Sequence, residues 1–106
     1  ILIGHSNGGD MTMLFATKYP HLINKAISMD HRRMIMPRTE KPRLYTLRGC
    51  DYDADAGVLP TKQEQEQFHM KVVKLDGITH SNMGENGTEE QHRLINQSIS
   101  GFLTQK

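Results

Sequence analysis

In Gly4-His5-Ser6-Asn7-Gly8 a serine stands with a glycine two positions away on either side, directly after the apolar run Ile1-Leu2-Ile3 and directly before a helical pattern. A serine hydroxyl is a weak nucleophile. Chemistry with it needs a turn that exposes the oxygen, a base that removes its proton, and donors for the charge that develops on an attacked carbonyl. A G-x-S-x-G run between strand and helix supplies the first of these. Gly4 and Gly8 are expected to let the strand and the helix pass closely, which a side chain would prevent. The helix beyond Ser6 aims unpaired backbone N–H groups at the same point, so the N–H of Asn7 is the candidate oxyanion donor. Its partner donor is expected upstream of Ile1.

The remaining groups should come in the order acid and then histidine, at the ends of later strands. His80 follows the apolar stretch Lys71 to Leu75 and the turn Asp76-Gly77, on the edge where ligand-binding loops of parallel sheets gather. It is the candidate base, whereas His5, His21, His69 and His92 fit structural roles. The acid has several candidates. Asp51, Asp53 and Asp55 share the loop after the strand-like stretch Arg43 to Arg48, and Asp30 ends the stretch Lys25 to Asp30. Aspartates in such positions also serve as ordinary turn formers.

The elements that must carry these groups alternate. Ile1 to Ile3 reads as the end of a buried strand, and Met11, Leu14, Phe15 and Tyr19 recur at helical spacing until Pro20 stops the helix. Lys25 to Asp30 and Arg43 to Arg48 are short strands separated by an irregular basic stretch, His31 to Pro42, too short for a cap domain. Thr61 with Glu64 and Thr88 with Gln91 are capping boxes that open two further helices. Lys71 to Leu75 is the strand between them, and Leu94, Ile95, Ile99, Phe102 and Leu103 give the last helix an apolar stripe for the sheet. The order is strand, helix, strand, strand, helix, strand, helix. It predicts one domain over residues 1–106, with a mostly parallel sheet and all equivalent strand ends on one edge.

The chain resembles the C-terminal part of an α/β-hydrolase domain, and the resemblance covers nearly its whole length. It rests on the Ser6 turn, on Asp55-Ala56-Gly57-Val58-Leu59-Pro60, which is similar to the acid and Val-x-Pro run after the family's penultimate strand, and on Thr79-His80-Ser81-Asn82-Met83 before the closing helix. The resemblance implies a three-layer sandwich whose N-terminal strands lie upstream, so that residues 1–106 alone are expected to be unstable and inactive. It implies a serine hydrolase acting on a small ester-like substrate through an acyl-enzyme, with a triad of Ser6, Asp55 and His80 and with no metal or organic cofactor. Peptidase, thioesterase and acyltransferase activities on the same fold are alternatives, as is a non-catalytic binding protein. Two departures keep the acid open: one extra residue between acid and proline leaves Asp51 a rival, and some family members place the acid where Asp30 stands.

Composition narrows the classes further. With 36% hydrophobic and 24% charged residues the chain is ordinary globular material, and a net charge of +1 gives no electrostatic footprint for nucleic acid. Cys50 is the single cysteine, which excludes an internal disulfide and a cysteine-rich zinc site within the chain. No apolar run approaches the roughly 20 residues that span a bilayer. His31-Arg32-Arg33 with Arg38, Lys41 and Arg43 could attract an anionic substrate, but a solvated surface loop is the preferred reading. The seven methionines read as apolar filler, with those near the sheet edge able to line an acyl pocket.

Overall fold

A computed structural model describes residues 1–84 and 86–105. Strand β1 (Leu2–His5) turns at Ser6 into helix α1 (Asn7–Lys18), and a short 3-10 turn at Pro20–Leu22 leads into β2 (Lys25–Met29). An irregular crossing brings the chain to β3 (Arg43–Arg48). Helix α2 (Lys62–Phe68), β4 (Lys71–Lys74), a 3-10 turn at Ser81–Met83 and α3 (Glu89–Thr104) follow. Both capping boxes are formed. Thr61 accepts from the backbone of Glu64 while Glu64 accepts from that of Thr61, and Thr88 and Gln91 do the same for α3. At the far end of α3, Lys25 Nζ donates to the carbonyls of Phe102, Leu103 and Gln105, a cation placed where the helix C-terminus leaves acceptors and negative charge.

The four strands lie in the order β1-β2-β3-β4 and every pairing is parallel, with Ile3 opposite Ile27, Ile27 opposite Tyr45, and Leu47 opposite Val73. Side chains alternate between the two faces. Ala26 and Leu44 join Met13 and Ala16 of α1, with Met36, Met70 and Phe68, on one face. Ile27, Tyr45 and Leu47 join Ile95 and Phe102 of α3, with Ile78 and Met83, on the other. Tyr45 and Phe102 stack there at 4.7 Å. The protein is therefore an α/β domain with helices on both faces of an all-parallel sheet. One consequence matters for function: the C-terminal ends of all four strands, at His5, Met29, Arg48 and Lys74, open on the same edge.

The face of α1 differs from the one its apolar periodicity indicates. Gly9, Thr12, Met13 and Ala16 are buried, whereas Met11 is 63% exposed and Tyr19 46% exposed. Small residues face the sheet because the helix runs very close to it. A β-carbon on Gly4 would stand 2.2 Å from the Gly8 carbonyl oxygen, and one on Gly9 would stand 2.9 Å from His31 Cβ. The close approach thus needs Gly4 and Gly9. Gly8, expected to be the second partner, has open space where its side chain would be and contributes only backbone to the contact.

The basic stretch after β2 is largely built into the fold. Arg38 donates to the carbonyls of Met36, Gly57, Val58 and Leu59 and pairs with Glu64, which ties the crossing to the loop after β3. Asp10, in the first turn of α1, accepts from the backbone N–H groups of Arg32, Arg33 and Met34 and fixes the start of the crossing.

Candidate active site

Ser6 has φ 56° and ψ −118°, a conformation that costs a non-glycine residue of order 1–3 kcal/mol and persists only where its surroundings impose it. They do so here. The Ser6 N–H donates to the Met29 carbonyl, the Asp10 N–H donates to the Ser6 carbonyl, and the Gly4–Gly8 contact fixes the angle between β1 and α1. The hydroxyl is carried to the C-terminal edge of the sheet, next to the loop after β4. Asn7 is the first residue of α1, so its backbone N–H belongs to the set that the helix cannot pair and that favours negative charge.

In that loop His80 Nε2 lies 3.0 Å from Ser6 Oγ, and His80 Nδ1 lies 2.9 Å from Asp30 Oδ2. The carboxylate can only accept, so Nδ1 carries the proton and Nε2 is left to take the proton of the serine. Asp30 is fully buried at the end of β2 and also has a positive φ, 57°. Its second oxygen accepts from the Gly49 N–H at 2.8 Å and faces Arg48 Nε at 3.7 Å. Burial pushes the Arg48 guanidinium below its ordinary value, and Asp30 is the main opposing influence. Gly49 also provides room: a β-carbon there would stand 2.9 Å from Asp30 Oδ2.

The structure thus brings Ser6 and His80 together and places Asp30, not Asp55, at the His80 ring. Asp55 does not approach His80. Its side chain is half exposed and pairs with Arg32 Nε at 3.2 Å, while its N–H donates to the Arg32 carbonyl. The loop after β3 bends back over the crossing from β2, which carries residue 55 away from the β4 loop. Asp51 lies nearer, but it accepts from the backbone N–H of His80 at 2.8 Å and orients the loop rather than the ring. Asp53 is exposed. Asp30 lies at the His80 ring because the residue directly after β2, a strand adjacent to β1, needs no loop to reach the same edge.

No protein-family model, curated protein or solved structure matches the chain. The reading of the site therefore rests on its own geometry.

Two further residues that sequence reasoning left in structural roles or passed over, His5 and Tyr52, flank His80. His5 Nε2 donates to the His80 carbonyl at 3.0 Å and its ring lies 5.0 Å from the His80 ring, which ties the β4 loop to the nucleophile strand. Tyr52 stacks on the His80 ring with centroids 3.8 Å apart and planes 16° from parallel. Beneath Asp30 lies a buried polar chain: His31 Nδ1–H donates to Ser28 Oγ at 2.6 Å, and Ser28 donates to Thr46 Oγ1, which also accepts from Arg48. His31 is fully buried with Nε2 unpaired among the described residues, and burial, reinforced by the Arg48 charge, lowers its pKa from 6.5 to about 4. It is a neutral ring at the base of the site.

A hollow of mixed character, lined by Met29, Met83, Ile95 and Ile99 together with His92 and Asn96, includes Gly84, which packs against His5. A second groove, lined by Arg43, Lys62 and Lys71, includes residues at the starts of β3 and β4, away from the Ser6 edge. Among the described residues no group of three or more His, Cys, Asp or Glu side chains is arranged to hold a metal ion, and no helix is long and apolar enough to cross a membrane.

Proposed function

We propose that the protein is a serine hydrolase of the α/β-hydrolase fold that cleaves a small carboxylic ester-like substrate through an acyl-enzyme. One observation carries this reading: Ser6 Oγ, His80 and Asp30 form a continuous hydrogen-bonded relay, with the serine held in a strained turn at a helix N-terminus. Donors and acceptors at that spacing fit proton transfer from a nucleophile to an oriented base.

In this mechanism Ser6 Oγ attacks the ester carbonyl carbon while its proton passes to His80 Nε2. The carbonyl π pair moves onto oxygen, where the Asn7 N–H stabilises it. Asp30 holds the imidazolium through Nδ1. Collapse of the tetrahedral species breaks the bond to the leaving alkoxide, which takes the proton from Nε2 and departs as the alcohol. Water then gives a proton to Nε2 as it attacks the acyl carbon, and the second collapse returns the proton to Ser6 and releases the acid.

A fluorophosphonate probe tests the reading. The full-length protein should be labelled once, on Ser6, and Ser6→Ala should not be labelled. Peptide mapping that places the adduct on Ser28, Ser81, Ser98 or Ser100, or undiminished labelling of Ser6→Ala, would rule it out.

A further inference from the structure

The two hydrogen bonds of His80 leave one freedom unrestrained. Bonds at Nδ1 and Nε2 fix a line through the imidazole, but the ring can still rock about that line, and its side chain is only about 20% exposed rather than fully enclosed. Rocking leaves Nε2 in place but turns its in-plane lone pair away from the Ser6 O–H. A flat surface against the ring face removes that motion, and Tyr52 provides one at 3.8 Å.

Tyr52 is itself held. Its neighbour Asp51 accepts from the His80 backbone N–H, so the segment after β3 meets His80 through both backbone and ring. Arg32 lies over the Tyr52 ring, its guanidinium carbon 5.9 Å from the centroid, and Asp55 clamps Arg32 at 3.2 Å with an additional backbone bond. The aspartate that the sequence suggested as the acid thus acts at one remove, fixing the arginine beside the ring that covers the base.

We propose that Tyr52 is a positioning residue for His80, its ring fixing the imidazole plane and favouring the imidazolium that forms when Ser6 gives up its proton. The inference rests on the reading of His80 as base. A cation over an aromatic face is attracted by the ring quadrupole, and this needs the ring and not the hydroxyl. The other groups around the imidazole are Asp30 at Nδ1, Ser6 at Nε2, the His5 ring, and Arg32 beyond Tyr52, whose positive charge works against the imidazolium.

The test compares Tyr52→Phe and Tyr52→Leu in the full-length protein. Three quantities are read: kcat and KM on a p-nitrophenyl ester, the rate of Ser6 phosphonylation, and the downfield proton resonance of His80 Nδ1–H. Tyr52→Phe should stay within about twofold of the parent, because the ring remains. Tyr52→Leu should lower kcat and phosphonylation by roughly tenfold to a hundredfold with KM little changed, as expected for a misaligned reacting group, and should broaden the Nδ1–H resonance. A leucine variant with parental kcat and resonance would overturn the proposal, as would a phenylalanine variant as impaired as leucine, or a change confined to KM. If the parent fails to react with the phosphonate, the hydrolase reading falls, while the resonance in the two variants still decides whether Tyr52 positions His80.

Discussion

Asp30→Asn is expected to lower kcat by roughly four orders of magnitude, the size of effect seen when the acid of a serine protease triad becomes its amide. The local geometry gives the reason. Asp30 Oδ1 accepts from the Gly49 N–H, and an asparagine would keep its oxygen there, which turns its NH2 group toward His80 Nδ1. A donor facing Nδ1 forces the proton onto Nε2, and a protonated Nε2 cannot take the proton of Ser6. Asp55→Asn should stay within about tenfold of the parent, since its exposed pair with Arg32 belongs to a class worth about 0–1 kcal/mol. Asp51→Asn keeps an acceptor for the His80 N–H and should also be mild. The measurement is kcat at fixed pH for the three variants, with circular dichroism to confirm folding, because removing the charge of Asp30 leaves buried Arg48 without its counter-ion. A deeper loss in Asp55→Asn than in Asp30→Asn would contradict the assignment.

Acid should destabilise the protein through His31, whose pKa is lowered to about 4 by burial and by the charge of Arg48. The unfolded chain takes up a proton on this ring near 6.5, whereas the folded protein does so only near 4. Between those values the unfolded state binds more protons, so this contribution to stability is complete above about pH 6.5 and declines as pH falls toward 4. At about 1.4 kcal/mol per pH unit, the loss across the window is about 3 kcal/mol, a large part of the stability of a small domain. His31→Asn places an amide donor where Nδ1–H meets Ser28 and removes the titration. Urea unfolding from pH 7 to pH 4 should show a steeper decline in the parent than in this variant. Parallel curves would contradict the role of His31.

Much of the fold could be read in the sequence because local signals and long-range packing agree. Thr61 with Glu64 and Thr88 with Gln91 mark helix starts through side-chain to backbone bonds that need no tertiary partner, and both form. The strand Arg43–Arg48 appears with the expected bounds, and the serine turn lies where the glycines and the preceding strand put it. What escaped depends on contacts between distant segments. The buried face of α1 is Gly9, Thr12, Met13 and Ala16, and a face built for close approach is poor in the large apolar residues that periodicity detects. The preference for Asp55 over Asp30 as the partner of His80 failed for a related reason. Asp55 stands in a run similar to a familiar motif, but Arg32 turns it outward, while Asp30 is selected by the parallel register of β1, β2 and β3 and by Gly49 and Arg48 on the neighbouring strand end. The signals available for it were an aspartate at the end of a buried strand-like stretch and a position from which some α/β-hydrolases supply their acid.

Acylation of Ser6, which the proposed function requires, is tested most directly by a rapid-quench experiment. The full-length protein is mixed with excess p-nitrophenyl ester, stopped in acid at intervals shorter than one turnover, and mapped by mass spectrometry. The account predicts the acyl group on the peptide containing Ser6, formed at least as fast as steady-state turnover and lost when the ester is exhausted, with none in Ser6→Ala. Ester turnover with the acyl group on another residue, or turnover that persists undiminished in Ser6→Ala, would contradict it.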